Sequence, residues 1–228
     1  MNSMGSVEVG GGSQNMRHND DRLGVLGYYW FLTFEQSPEL LALVKECQAS
    51  ISLPHYDLTP PDSLHLTLDR IAYFGEVAPE QLDAVKTAAV LACRDVPPFD
   101  ISFEHLRSIR GAVVFDVSPA WRVRILQKTL RSATLAAYPE ASVKASQSDP
   151  HVTIGYPNAE TFSEADTAAA VARPNSTVHS ADVAVTEAVM VLLERQQHSY
   201  SWQVIARIPL GTSQSATALQ PMREAPQL

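Results

Sequence analysis

The 228-residue sequence predicts an α+β fold of two pseudo-symmetric lobes, each an antiparallel-rich sheet with helices packed outside it, around a central cleft. Three observations lead there. Strand-like and amphipathic helix-like stretches take turns along the chain. One polar strand motif, His-x-Thr, occurs at His65 and again at His151, 151 minus 65 or 86 residues later. Between the two lies a strictly alternating run, 99–106, that can fold back on "GAVVFDVSP" through "RSIRG" as a hairpin.

The elements follow in order. Residues 23–34 are aromatic and apolar, as a buried strand requires. "SPELLALVKECQASI" opens with Ser37 as helix cap and Pro38 at the first helical position, and carries Leu40, Leu41, Val44 and Cys47 at helical spacing. The strand "HLTL" comes next, then a helix from Pro79 with Leu82, Val85, Ala89 and Cys93 on one side. The hairpin is followed by a helix over "AWRVRILQKTLRSATLAAY", the strand "HVTIGY" and a helix over "SEADTAAAVA". Two long β-rich runs, "ADVAVTEAVMVLLE" and "YSWQVIARIPL", close the fold. Residues 1–21 and 212–228 lack apolar periodicity and read as flexible tails around a single bilobal domain at 22–211.

Composition narrows the function classes. With 45% hydrophobic and 18% charged residues the chain is globular rather than disordered. A net charge of −8 disfavours long duplex nucleic acid, which is held by phosphate neutralisation. Yet Arg107, Arg110, Arg122, Arg124, Lys128, Arg131 and Lys144 face only Asp116 and Glu140 in the same stretch, a local excess of +5. That excess reads either as a solvated helix face or as a positive field beside an anionic ligand. Cys47 and Cys93 lie in helical stretches without a C-x-x-C, so no disulfide framework or thiolate zinc site is indicated and a cytoplasmic setting is expected. No apolar run has the length of a membrane span, and no membrane partner is expected.

The repeated motif carries the chemistry. Residues i and i+2 of a strand share a face, so His65 pairs with Thr67 and His151 with Thr153, while Leu66, Leu68, Val152 and Ile154 anchor the opposite faces. Seven histidines and 13 threonines make roughly 0.4 chance occurrences of His-x-Thr, so two on matching apolar strands are informative. Two imidazoles across a cleft can serve as base and acid at one pH, and threonine hydroxyls can donate to an anionic oxygen. Such a set needs neither metal nor cofactor, and it suits in-line attack on a phosphodiester.

His65-Leu66-Thr67-Leu68 and His151-Val152-Thr153-Ile154, within "PPDSLHLTLDRIAYFGEV" and upstream of "YSWQVIARIPL", resemble the paired motifs of the 2H phosphoesterase superfamily. The similarity is to the branch holding bacterial 2′-5′ RNA ligases and RNA 2′,3′-cyclic phosphodiesterases. The resemblance implies that both histidines line a water-filled cleft and both threonines hold the phosphate. It also implies hydrolysis of a 2′,3′-cyclic phosphate on a nucleotide or short RNA end, or the reverse 2′-5′ ligation; a monomer is expected. By analogy His151 is the base and His65 the acid, an order the sequence leaves open. Familiar members place an arginine shortly after the second motif, where this chain has Gly155-Tyr156; Tyr156 can stack on a base, meet phosphate through its hydroxyl, or simply pack. A binding module without turnover, a phosphodiesterase for cyclic oligonucleotide signals and a scaffold protein are the other readings.

Overall fold

The computed structural model describes residues 23–51, 56–144, 149–158, 164–172 and 180–211. The tails expected at 1–21 and 212–228 lie outside the described residues. In chain order the elements are β1 (Gly24–Thr33), α1 (Pro38–Ala49), β2 (Tyr56–Leu58), β3 (His65–Tyr73), α2 (Pro79–Cys93), β4 (Phe99–Ile109), β5 (Ala112–Ser118), α3 (Ala120–Ala137), β6 (His151–Pro157), α4 (Glu164–Val171), β7 (Ala181–Val185), β8 (Glu187–Arg195) and β9 (Tyr200–Pro209). The strands form two antiparallel sheets, β3-β1-β8-β9 and β2-β6-β5-β4-β7. Helices α2 and α3 lie against the first sheet, α1 and α4 against the second. The expected α+β architecture of two sheets with outer helices holds.

β1 is apolar throughout because both its faces are covered. Trp30 and Leu32 enter the main core under the helices, and the Trp30 indole donates to Thr134 Oγ1 of α3 at 3.0 Å. Tyr29 and Phe31 point the other way, into a smaller cluster with Leu26, Val189, Val191 and Leu193. On α2 the four residues expected on the inner side, Leu82, Val85, Ala89 and Cys93, are the buried ones. On α1 the buried stripe is Leu40, Leu43, Val44 and Cys47, so the helix turns Leu43 inward and leaves Leu41 half-buried.

Two features depart from the sequence reading. The run 181–194 is not one β stretch: β7 ends at Val185, β8 starts at Glu187, and they belong to different sheets. The chain crosses between sheets at Thr186, whose carbonyl accepts from Leu210 N–H at 2.8 Å. The hairpin connection is also tighter than "RSIRG". Ile109 pairs with Ala112, which leaves Arg110 (φ 51°) and Gly111 (φ 87°) as a two-residue turn with both φ positive, the twist a tight hairpin favours.

Register shifts shape β3. Phe31 pairs with Thr67 and Trp30 with Asp69, so Leu68 is an extra residue on β3, a β-bulge. Gln127 of α3 donates its side-chain amide to the Leu68 carbonyl at 3.2 Å. Past the bulge the alternation changes phase, and Asp69 joins Leu68 in the interior on the α3 side.

Candidate active site

Both histidines are the first residues of their strands. A single 3-10 turn over Pro61–Ser63 delivers His65, with Ser63 N–H bonded to the Pro60 carbonyl at 2.9 Å. Asp149-Pro150 delivers His151, and the Asp149 carboxylate is ion-paired with Arg124 of α3. The same contact recurs in each motif. His65 Nδ1 lies 2.9 Å from the Ser63 carbonyl and His151 Nδ1 lies 2.7 Å from the Asp149 carbonyl, in both cases two residues back. A carbonyl only accepts, so Nδ1 carries the hydrogen and the neutral ring keeps its lone pair on Nε2. The sequence spacing thus yields two imidazoles held in the same tautomer by the same local device.

Their surroundings differ. The His65 ring stacks on Phe31 (4.3 Å between centroids, 16° between planes), with Trp202 edge-on at 5.2 Å and Tyr200 at 6.3 Å. His65 is therefore half-buried, packed into aromatic surface. Burial pushes its pKa down to about 4; the charges of Lys144 and His151 act in the same direction, and the Ser63 carbonyl opposes them. His151 is also pushed down, first by burial and then by Arg107 and Lys144, against the Asp149 carbonyl and Asp116. β3 lies beside β6, close enough for the charge of His151 to act on the His65 ring. The structure thus brings the two motifs together.

Thr67 and Thr153 are half-buried on the histidine side of their strands. Burial pushes the Tyr156 phenol's pKa up, and the Thr153 side chain beside it acts the other way. The Tyr156 ring sits 5.6 Å from Tyr200, and a polar cavity of about 240 Å³ opens beside both, with Arg195, Asp57 and His198 in its walls. Three of the seven positives of the α3 region are ion-paired: Arg107 with Asp116, Arg124 with Asp149 and Arg131 with Asp69. Asp116 is the cross-strand neighbour of His151, so the first of these pairs borders the second motif.

Sequence reasoning missed the aromatic wall and the acid partners. Tyr200 and Trp202 did carry a signal, since they stand two apart on one strand as the motif residues do. Phe31 becomes a neighbour only through the β1–β3 register, and Asp69 becomes interior only through the bulge.

The fold and the paired histidines define a class, the two-sheet α+β proteins with one His-x-Thr strand in each sheet. Residues 36–197 match the 2′-5′ RNA ligase superfamily, and the chain belongs to that family of 2H phosphoesterases. No curated protein matches the sequence. Among solved structures, TT0787 of Thermus thermophilus superposes with a TM-score of 0.61 at 16% identity, covering 81% of this chain and 98% of its own. Apo LigT of E. coli superposes at 0.59 with 18% identity, covering 84% of this chain and 100% of its own. A structure described as a phosphoesterase gives 0.59 at 20% identity, with coverage of 82% and 99%. At these identities the likeness is one of fold.

Proposed function

We propose that this protein hydrolyses the 2′,3′-cyclic phosphate of a nucleotide or RNA end by two-histidine acid–base catalysis, within a single domain. The observation that carries the reading is the pair of imidazoles, one from each sheet, each with Nδ1 engaged by a backbone carbonyl and Nε2 left to move a proton. E. coli LigT, which shares the fold, has been crystallised with 3′-AMP and with phosphate, and this supports a nucleotide phosphate as the ligand class.

The environments favour an order of roles opposite to the one taken by analogy. His65, desolvated among Phe31, Trp202 and Tyr200, is neutral at neutral pH and suits the base. Its Nε2 takes a proton from water as the water oxygen attacks phosphorus. His151, the more open of the two, enters as imidazolium and gives its proton to the departing 2′ or 3′ ribose oxygen. The product is a nucleotide monophosphate; His65 then releases its proton to solvent and His151 regains one. Thr67 and Thr153 donate to the phosphate oxygens, with Tyr156 beside Thr153. The cavity beside Tyr156 and Tyr200 leaves room for the nucleoside.

The test is chromatographic product analysis of chelator-treated protein mixed with nucleoside 2′,3′-cyclic phosphates, alongside the His65→Ala/His151→Ala double variant. Turnover in chelator that disappears in the variant is the expected result. Absence of turnover in the unaltered protein, with nucleotide binding retained, would replace the enzyme by a binding module.

A further inference from the structure

Among the described residues Asp69 is the only buried carboxylate, 1% exposed. An ionised carboxylate in the interior costs several kcal/mol unless it is paired and hydrogen-bonded. Its partners are specific. Arg131 Nε of α3 donates to Oδ2 at 2.6 Å, and the backbone N–H groups of Arg70 and Lys144 donate to Oδ1 at 2.9 and 3.0 Å. Arg131 Nη2 also donates to the Lys144 carbonyl at 2.9 Å. Both main-chain polar groups of Lys144 are therefore clamped by one ion pair. Two residues earlier, the Ser142 carbonyl accepts from Arg70 Nε at 2.6 Å and its hydroxyl donates to Glu76 at 2.8 Å.

β3 is an edge strand of its sheet, so residues 142–144 are strapped along that edge, on the way from α3 to β6. This is the seam between the two motif strands. A buried ion pair is weak evidence for stability, because hydrophobic residues of equal volume often serve as well. What this one does is fix where Lys144 sits.

We propose that Lys144 is a phosphate-binding residue of the active site, placed at the seam by the positioning residues Asp69 and Arg131, and that its ammonium holds a non-bridging oxygen of the phosphodiester. The inference rests on the phosphodiesterase reading and names its anion subsite. Attack on phosphorus accumulates negative charge on these oxygens, and a cation already in place stabilises that charge without reorganisation. The location agrees with the electrostatics: the Lys144 charge opposes protonation of both imidazoles, alongside His151 at His65, and alongside Arg107 and against Asp116 at His151. A bound phosphate anion would relieve that opposition and favour the imidazolium that the leaving group needs.

Lys144→Ala removes the ammonium and leaves the backbone clamp intact, so folding is preserved. With the full-length protein we expect kcat/KM on adenosine 2′,3′-cyclic phosphate to fall roughly 100-fold, and Lys144→Arg to restore most of it. Inorganic phosphate, followed by calorimetry, should bind about tenfold more weakly to Lys144→Ala. In the ligand-free variant the NMR titrations of His65 and His151 should both move to higher pH. Asp69→Asn should reproduce part of the kinetic loss while keeping the Lys144 charge, the sign of a positioning role. Unchanged kcat/KM and phosphate affinity in Lys144→Ala, with the unaltered protein active, would overturn this inference and leave the proposed function standing. Inactive unaltered protein whose phosphate binding still depends on Lys144 would sink the enzymatic reading and keep the anion subsite.

Discussion

Between the two imidazoles the decisive difference is what each ring touches. His65 packs against three aromatic rings, whereas His151 borders the Arg107–Asp116 pair. If His151 protonates the leaving oxygen, a substrate whose leaving group needs no proton should relieve its loss. On a nucleoside 3′-(4-nitrophenyl) phosphate, His151→Ala should recover most of its activity, while His65→Ala stays inactive; the opposite pattern would restore the order taken by analogy. Both pKa values are pushed below the ordinary 6.5, so the protonated acid is lost as pH rises through that lowered value. The kcat/KM profile should accordingly stand higher at pH 6 than at pH 8. Thr67→Ala and Thr153→Ala should each cost about 1–3 kcal/mol of transition-state stabilisation, read as ΔΔG‡ from kcat/KM. Tyr156→Phe, which keeps the ring and removes the hydroxyl beside Thr153, should cost less than Thr153→Ala.

At the scale of elements, local patterns were readable and cross-chain geometry was not. The i, i+2 rule located both motif strands to the residue, and helical spacing located the buried side of α2. The break at Thr186 left no glycine or proline to mark it, and β2 is only three residues long. The bulge at Leu68 is a property of pairing with β1, so alternation alone carries Asp69 to the wrong face. Lys144 stood out only as one of seven positives, because its anchors lie 75 and 13 residues away. Close approach of the strands is testable at Gly27 (φ +150°), where a Cβ would meet the Ala72 carbonyl oxygen at 2.2 Å and the Tyr73 Cα at 2.8 Å. Gly27→Ala should destabilise the fold by at least about 1–3 kcal/mol in urea denaturation, since the neighbour is backbone and must move.

For the molecule as a whole, the histidines that suit the chemistry tax the fold in acid. His65 has a folded pKa of about 4 against 6.5 for a free ring, and His151 is shifted the same way. Between those values the unfolded chain binds more protons than the folded one, so stability is full above pH 6.5 and declines as pH falls toward 4. Urea midpoints should drop from pH 7 to pH 5, and the drop should be shallower in His65→Ala, whatever packing that variant loses. A midpoint flat over this window would contradict the desolvated ring. The interleaving of the two sheets has a consequence for synthesis. β1 and β3 leave the ribosome early, but the sheet that holds His65 also needs β8 and β9, which end at Pro209. Until those last strands emerge, β1 has one edge unpaired and His65 lacks Tyr200 and Trp202. The earlier of the two motif histidines is thus among the last to reach its full surroundings, and on the proposed function the nascent chain gains its activity only once β9 is made.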